Sequence, residues 1–307
     1  MNIKIRLHLM PWELDNAILL CNQLSKSFYH ISNKDKIIFE SCLNISSYII
    51  DWEESKISKD FFIKKYKSLK SLLPNELKYT QKIYDGDQLY GHLDFERESI
   101  SPEIDAYIGI CPDMIFDEYL LYYMIEGAKH IKNKYFVITP QIPKLWDSTW
   151  DPIVNPIYMN VPYNEWNKQD MFDIINNQNN SIQEVSLQPI QRSKYAGWFD
   201  LYSKSYCEEL VPIEEEWKGK GGWDLYSMIV SDFFKQSGGD YQQYVLDGQT
   251  ISRLSYCKNF ENNNLYSYYK DNIQLNPNAH QLNQITNFEQ AIPHYVQKRI
   301  SKFGNLK

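Results

Sequence analysis

Residues 3–10 alternate apolar and basic side chains and stop at Pro11, the period-two pattern of a strand running into a loop. Apolar positions then recur at helical spacing (Leu14, Ile18, Leu19, Leu24, Phe28), which predicts a helix over 14–29. The same reading predicts a strand over 36–43, a Lys-rich amphipathic helix over 60–73 ended by Pro74, and a strand over 78–84. An apolar strand over 106–110 leads into Cys111-Pro112-Asp113, followed by a helix over 116–130 and a strand over 135–139. Strands alternating with helices predict an α/β fold with a parallel or mixed sheet, whose ligands sit beyond the carboxyl ends of the strands. Pro11, Asn44 and Asp113 all fall on that edge.

The polar run 176–181 reads as a surface loop. From Trp198 onward the rhythm breaks, and glycines at 219, 221, 222, 238 and 239 punctuate the chain around one predicted helix over 225–234. Without repeats or a linker, the simplest organisation is one domain over 1–250 and a C-terminal extension over 251–307 packed on it.

Composition narrows the function classes. Hydrophobic residues at 43% and charged residues at 23% are those of an ordinary globular chain. A net charge of −7 disfavours bulk attraction to nucleic acid or anionic membrane. The five cysteines are odd in number, far apart and without a CxxC pair, which argues against a disulfide framework or zinc knuckle and for a reducing, cytoplasmic compartment. No apolar stretch approaches the roughly 20 residues that span a bilayer. Aromatics are 15% of the chain, including 24 Tyr and 8 Trp, which suits polar ring-shaped ligands and cores alike.

Three segments carry candidate chemistry. In Tyr107-Ile108-Gly109-Ile110-Cys111-Pro112-Asp113, an apolar strand delivers a carboxylate at its end. Such a group holds a divalent cation against a diphosphate, or caps the following helix. In Trp146-Asp147-Ser148-Thr149-Trp150-Asp151, indole and carboxylate recur four residues apart, a pairing suited to stacking on a sugar or base and bonding its hydroxyls, or to packing a loop. In Trp217-Lys218-Gly219-Lys220-Gly221-Gly222-Trp223-Asp224, the glycines let backbone approach a ligand. Asp224 follows at a helix start, as a general base or as a charge complementing the helix dipole. Walker, GxGxxG, HExxH, HxH and GxSxG patterns are absent. Cys111 lacks a local base and reads as a small buried residue.

The order of these segments resembles the GT-A glycosyltransferases: a Rossmann-like mixed sheet flanked by helices, a strand ending in a DxD motif, then an acceptor block. Residues 107–116 resemble the DxD strand, with Cys111 in the first acidic position and Asp113 in the second. Residues 196–210 resemble the strand and helix before the acceptor block. WKGKGGWDLY, over 217–226, resembles the Trp-Gly-Trp-Gly-Gly-Glu-Asp block of inverting galactosyltransferase-like enzymes. Tyr90-Gly91 followed by Arg97 resembles a Gly…Arg-Asn segment of related enzymes. The likeness covers roughly residues 1–250.

What the resemblance implies is a hexosyltransferase-like enzyme using a nucleotide-sugar donor, a UDP-sugar before others. Mn²⁺ or Mg²⁺ would sit at Asp113 with His280 as a further ligand, His294 being the other histidine downstream. Pro11, Arg97, Asp113, Gly221 and Gly222 would hold the donor. Trp146, Asp147, Asp151 and Trp223 would shape the sugar and acceptor pocket. Asp224 would deprotonate the acceptor hydroxyl, with inversion in one displacement. The acceptor is open between a glycan, a protein, a small molecule and a modified base. The alternative, suggested by Cys111, is a non-catalytic carbohydrate- or nucleotide-binding protein on the same scaffold. A nucleotidyltransferase would need a Gly-rich loop after the first strand, where Met10-Pro11-Trp12 stands.

Overall fold

The structure, a computed structural model, describes residues 1–86, 92–143, 150–158, 167–176, 178, 184–194, 199–214, 223–256 and 288–306. The alternation at the N-terminus forms strand β1 (Asn2–Leu9), and the helical spacing after it forms α1 (Leu14–Phe28). β2 (Lys36–Asn44), the short α2 (Trp52–Ser55), α3 (Lys59–Ser68) and β3 (Lys78–Tyr84) complete two parallel β-α-β units. α4 (His92–Glu98), which the periodicity did not predict, precedes β4 (Ala106–Ile110).

The sheet order is β3-β2-β1-β4-β8-β6-β9-β7, where β6 is Tyr135–Gln141, β7 Leu187–Pro189, β8 Phe199–Ser203 and β9 Tyr241–Thr250. β3, β2, β1 and β4 are parallel. β8 runs antiparallel between β4 and β6, β9 is parallel to β6, and β7 closes the edge antiparallel to β9. This is a mixed α/β fold with a large central sheet flanked by helices. The rhythm expected to break near Trp198 continues past it: α6 (Lys168–Asn176) and β7 come before, and β8, α7 (Trp223–Gln236) and β9 follow, β8 and β9 being two of the eight strands. β7 and β8 are too short, and β9 too rich in polar residues, to show a clear alternation locally.

Alternation decides which face each strand residue covers. Ile3, Ile5, Leu7 and Leu9 lie in one core cluster with Leu20 and Leu24 of α1 and with Leu121 and Met124 of α5 (Leu120–His130), all essentially inaccessible. Lys4, Arg6 and His8 face the other way, beneath α4. There Arg6 meets Glu96 at 3.1 Å and Lys4 meets Glu40 at 3.3 Å. The second apolar cluster fills the rest of that face, joining Tyr107, Tyr135 and Tyr202 to Val230 and Phe234 of α7 and to Ile292 and Val296 of α8 (Phe288–Ile300). The helix expected from residue 116 begins instead at Leu120. The Phe116 amide donates to Gln23 Oε1 at 3.1 Å and the Asp117 carboxylate accepts from the Tyr119 amide at 2.9 Å, which makes residues 116–119 a turn. No described helix is long and apolar enough to cross a membrane.

Candidate active site

The strand order reverses direction at β1, whose neighbours are β2 on one side and β4 on the other. A crevice opens outside the carboxyl ends of strands at such a switch point, and ligands of α/β sheets bind there. Two segments of this chain meet at that edge. After β1, Pro11–Glu13 form a single tight helical turn, with Pro11 buried at its first position, where a missing N–H costs nothing. The Glu13 carboxylate folds back and accepts from the Met10 amide at 2.7 Å. Burial lifts the Glu13 carboxyl to about 7; the Met10 amide and the Arg253 guanidinium pull it down, and Asp113 pushes it up.

After β4, Cys111-Pro112-Asp113 lead into β5 (Met114–Ile115), which pairs antiparallel with β10 (Ser252–Arg253). Asp113 therefore caps no helix. Its backbone oxygen accepts from the Leu254 amide at 2.8 Å. Its carboxylate takes Arg253 Nε on both oxygens, at 3.1 Å to Oδ1 and 3.0 Å to Oδ2. The Asp113 side chain is 7% exposed and that of Arg253 29%. Burial pushes the half-buried Cys111 thiol up to about 12, so the position that would carry the first acid of a DxD pair is neutral.

Arg253 reaches this place by the end of β9. Thr250 registers with Gln141 at the carboxyl end of β6, and the Ile251 amide donates to the Gln141 backbone oxygen at 2.8 Å. The chain then turns across the sheet edge to β5. Neither Arg253 nor Glu13 was among the residues expected at the site. Glu13 carried one legible signal, an acid three residues after Met10 at a helix start. Arg253 carried none, because its partner is 140 positions away.

The other expected residues distribute as follows. Asp224 lies in the first turn of α7 with its side chain exposed, and Ser227 Oγ donates to its backbone oxygen at 2.8 Å. Trp223 beside it is buried, its ring 6.2 Å from that of Tyr202 and nearly perpendicular to it. Tyr202 is the register partner of Tyr107. The start of α7 therefore lies over the β4–β8 pair, the strands that lead to Asp113. Arg97 is on α4, tied to the buried Asp94 at 3.4 Å. Asp151 is exposed in a turn closed by the Ile153 and Val154 amides on the Trp150 backbone oxygen, beside the end of β6, where Ile142 bridges to Val154. Trp146, Asp147, Gly221, Gly222 and His280 lie outside the described residues.

A row of buried charge crosses the sheet below the site. Arg6 registers with Glu40 on one side and with Gly109 on the other, and Gly109 registers with Asp200. Gly109 leaves room here: a Cβ on it would come within 3.8 Å of Glu96 Oε1 and of the Tyr202 ring. The Tyr202 hydroxyl donates to Asp200 Oδ2 at 3.3 Å. Burial pushes the Arg6 guanidinium down, but Glu96 together with Cys207, Tyr202 and Tyr107 outweighs it, and the pKa ends above its ordinary value. The base of the site is thus charged, buried and held by ion pairs, where fields act with little screening.

No protein-family model and no curated protein matches the chain. Solved structures with a similar arrangement include Staphylococcus aureus TarS, at 10% identity and a TM-score of 0.40 over 80% of this chain. They also include Mycobacterium tuberculosis glucosyl-3-phosphoglycerate synthase in complex with Mg²⁺ and uridine diphosphate, at 10% identity and a TM-score of 0.40 over 82% of this chain. A third is TarS 1–349 in complex with UDP-GlcNAc, at 10% identity and a TM-score of 0.37 over 80% of this chain. The chain spans 36% of the TarS chain and 71% of the synthase.

Proposed function

We propose that the chain is a nucleotide-sugar glycosyltransferase, with the donor diphosphate at the crevice between the carboxyl ends of β1 and β4. The observation that supports it best is the convergence there of Pro11–Glu13 and of Asp113 with Arg253, two segments the motif order had set on one sheet edge. Pro11 and Arg97 flank the nucleotide in this reading, and Gly221 and Gly222 let the backbone approach the donor. Trp146, Asp147, Asp151 and Trp223 border the acceptor.

Transfer in this reading is one displacement. The acceptor hydroxyl oxygen bonds to the anomeric carbon while its proton passes to the Asp224 carboxylate. The bond from that carbon to the diphosphate oxygen breaks on the opposite face, and its electron pair leaves with the nucleoside diphosphate, giving inversion. The exposure of Asp224 in the first turn of α7, over the β4–β8 pair, supports this reading.

A divalent cation at Asp113, Mn²⁺ or Mg²⁺, is what the sequence resemblance implies. The described donors do not fit it. Both Asp113 oxygens take Arg253 Nε, the neighbouring Cys111 is a high-pKa thiol, and no group of three or more His, Cys, Asp or Glu side chains among the described residues could hold a metal ion. No step is therefore routed through a metal. The Cys111 substitution also favours a second reading, a binding protein for carbohydrate or nucleotide on this scaffold.

Purified protein incubated with a panel of nucleotide-sugars distinguishes them. The enzyme releases nucleoside diphosphate from one donor. Asp224→Asn lowers that turnover by about 10²- to 10⁴-fold, the usual weight of a general base, with donor affinity unchanged. Full turnover by D224N sinks the base assignment. Binding of a nucleotide-sugar without turnover, across a broad acceptor panel, favours the binding protein.

A further inference from the structure

A cavity of about 380 Å³ lies between α1, the turn that precedes α5, and α6. Pockets for small molecules fall in this size range, about 300–1,000 Å³. No residue assigned above to the candidate active site lines it.

Its walls are fixed. Gln23 of α1 clamps the turn, with Nε2 donating to the Met114 backbone oxygen at 3.0 Å and Oε1 accepting from the Phe116 amide at 3.1 Å. Leu19 and Phe172 supply the apolar side, and both pack on a buried cluster of Ile115, Met171, Ile175 and Leu254.

Asp117 is the unusual member of the lining. It is 3% exposed, and its Oδ1 accepts from the Tyr119 amide at 2.9 Å. Its Oδ2 has no hydrogen-bond partner among the described residues, yet it is not one of the polar atoms sealed off from solvent. The cavity is the space Asp117 lines, so Oδ2 is reached through it. Burial raises this carboxyl to about 6; Glu118 raises it further, and the Tyr119 amide and His30 oppose the rise only in part. A carboxylate this buried is costly when no donor reaches its second oxygen, and a ligand that brings one relieves the cost.

The rim selects the ligand. The exposed side chains of Asn22, Lys26 and Asn176 line the cavity and make no hydrogen bond among the described residues. Glu118 already faces His30 Nε2 at 3.6 Å, which leaves Asp117 as the buried acceptor. A cation would use the acid, leave the amide and ammonium donors idle and meet Lys26. An anion would do the reverse. A ring bearing several hydroxyls uses both sets, because each hydroxyl donates once and accepts twice, and its apolar C–H face suits an aromatic wall.

We propose that this cavity is a saccharide site, in which the Asp117 carboxylate accepts from hydroxyls of one neutral sugar residue, Asn22 and Asn176 bond others, and Phe172 covers the apolar face of the ring. The site is separate from the donor crevice and does not depend on the glycosyltransferase reading.

The test is NMR titration of the full chain at millimolar concentrations of the methyl glycosides of glucose, galactose, mannose and N-acetylglucosamine, with ethanolamine and putrescine as cationic probes. One glycoside is expected to bind and the amines are not. Asp117→Asn keeps the shape and the bond to the Tyr119 amide but removes the charged acceptor, and it is expected to weaken binding by about 10- to 100-fold. Asn22→Ala, at an exposed position of α1 where folding is safe, is expected to cost about 3- to 10-fold. Glycoside binding that both variants leave unchanged places the sugar elsewhere and overturns the inference. So does binding of an amine without any glycoside, or absence of binding by every glycoside. Each of these failures leaves the glycosyltransferase reading standing, since that reading is judged by release of nucleoside diphosphate from a nucleotide-sugar.

Discussion

Asp113 illustrates how one side chain changes meaning with its partner. In sequence it is an acid at the end of an apolar strand, equally suited to a metal or a helix cap. In the structure it caps nothing and is half of an ion pair with Arg253. Four residues on, Asp117 is 3% exposed, and burial raises its carboxyl to about 6 against the pull of the Tyr119 amide. A raised carboxyl favours the protonated folded state, so this contribution to stability is complete below the ordinary aspartate range and is lost as pH rises through about 6. Asparagine keeps the acceptor for the Tyr119 amide and never ionises. Asp117→Asn should therefore match the wild type near pH 4 and exceed it by about 2 kcal/mol at pH 8. Urea unfolding midpoints at the two pH values measure this, and equal differences at both would show that ionisation of Asp117 is not what destabilises the chain.

The elements that carry the site are joined by buried polar contacts as well as by apolar packing. Ser41 of β2 bonds the Tyr66 hydroxyl of α3 and the Tyr79 hydroxyl of β3, each at 2.7 Å; Ser41 and Tyr66 are fully buried and Tyr79 partly so. Burial raises both phenols well above their ordinary range, so neither can ionise to compensate for a lost partner. Ser41→Ala leaves the buried Tyr66 hydroxyl and the partly buried Tyr79 hydroxyl each short of a bond. A loss of about 1–3 kcal/mol is expected, read from denaturant melts, and the first α/β units should loosen together in hydrogen exchange. Most of these elements were readable from periodicity: β3 and β4 match their predicted bounds, and α1 differs by one residue. Periodicity missed α2, α4, α6, β7, β9 and α8, whereas the strand and helix that the family resemblance set over 196–210 stand there as β8 and a helical turn over 206–210. The apolar residues of the missed elements sit in short or polar-flanked runs, and the sheet register that makes β7 and β9 strands comes from neighbours far along the chain.

At the scale of the molecule, residues 252–253 and 288–300 pack with the body of the chain. They supply β10 with Arg253 at the site, and α8, whose Ile292 and Val296 fill the second core cluster against Val230 and Phe234 of α7. Lys298 also bridges to Glu214 at 3.0 Å. A chain cut after residue 250 exposes that cluster. We expect it to be poorly soluble and cleaved rapidly within α7 in limited proteolysis, whereas a stable truncated fragment would show that residues 1–250 form a domain by themselves. By itself the sequence determined the α/β class, the strand edge where ligands collect, and the candidate acids Asp113 and Asp224, because alternation and helical spacing are local properties of the chain. Only the tertiary structure decided that β8 and β9 join the sheet, that Arg253 claims both oxygens of Asp113, and that Arg6, Glu96 and Asp200 form a charged floor. Each depends on groups brought together across many residues, and the energy of such a pairing is set by burial and geometry, which no local pattern records.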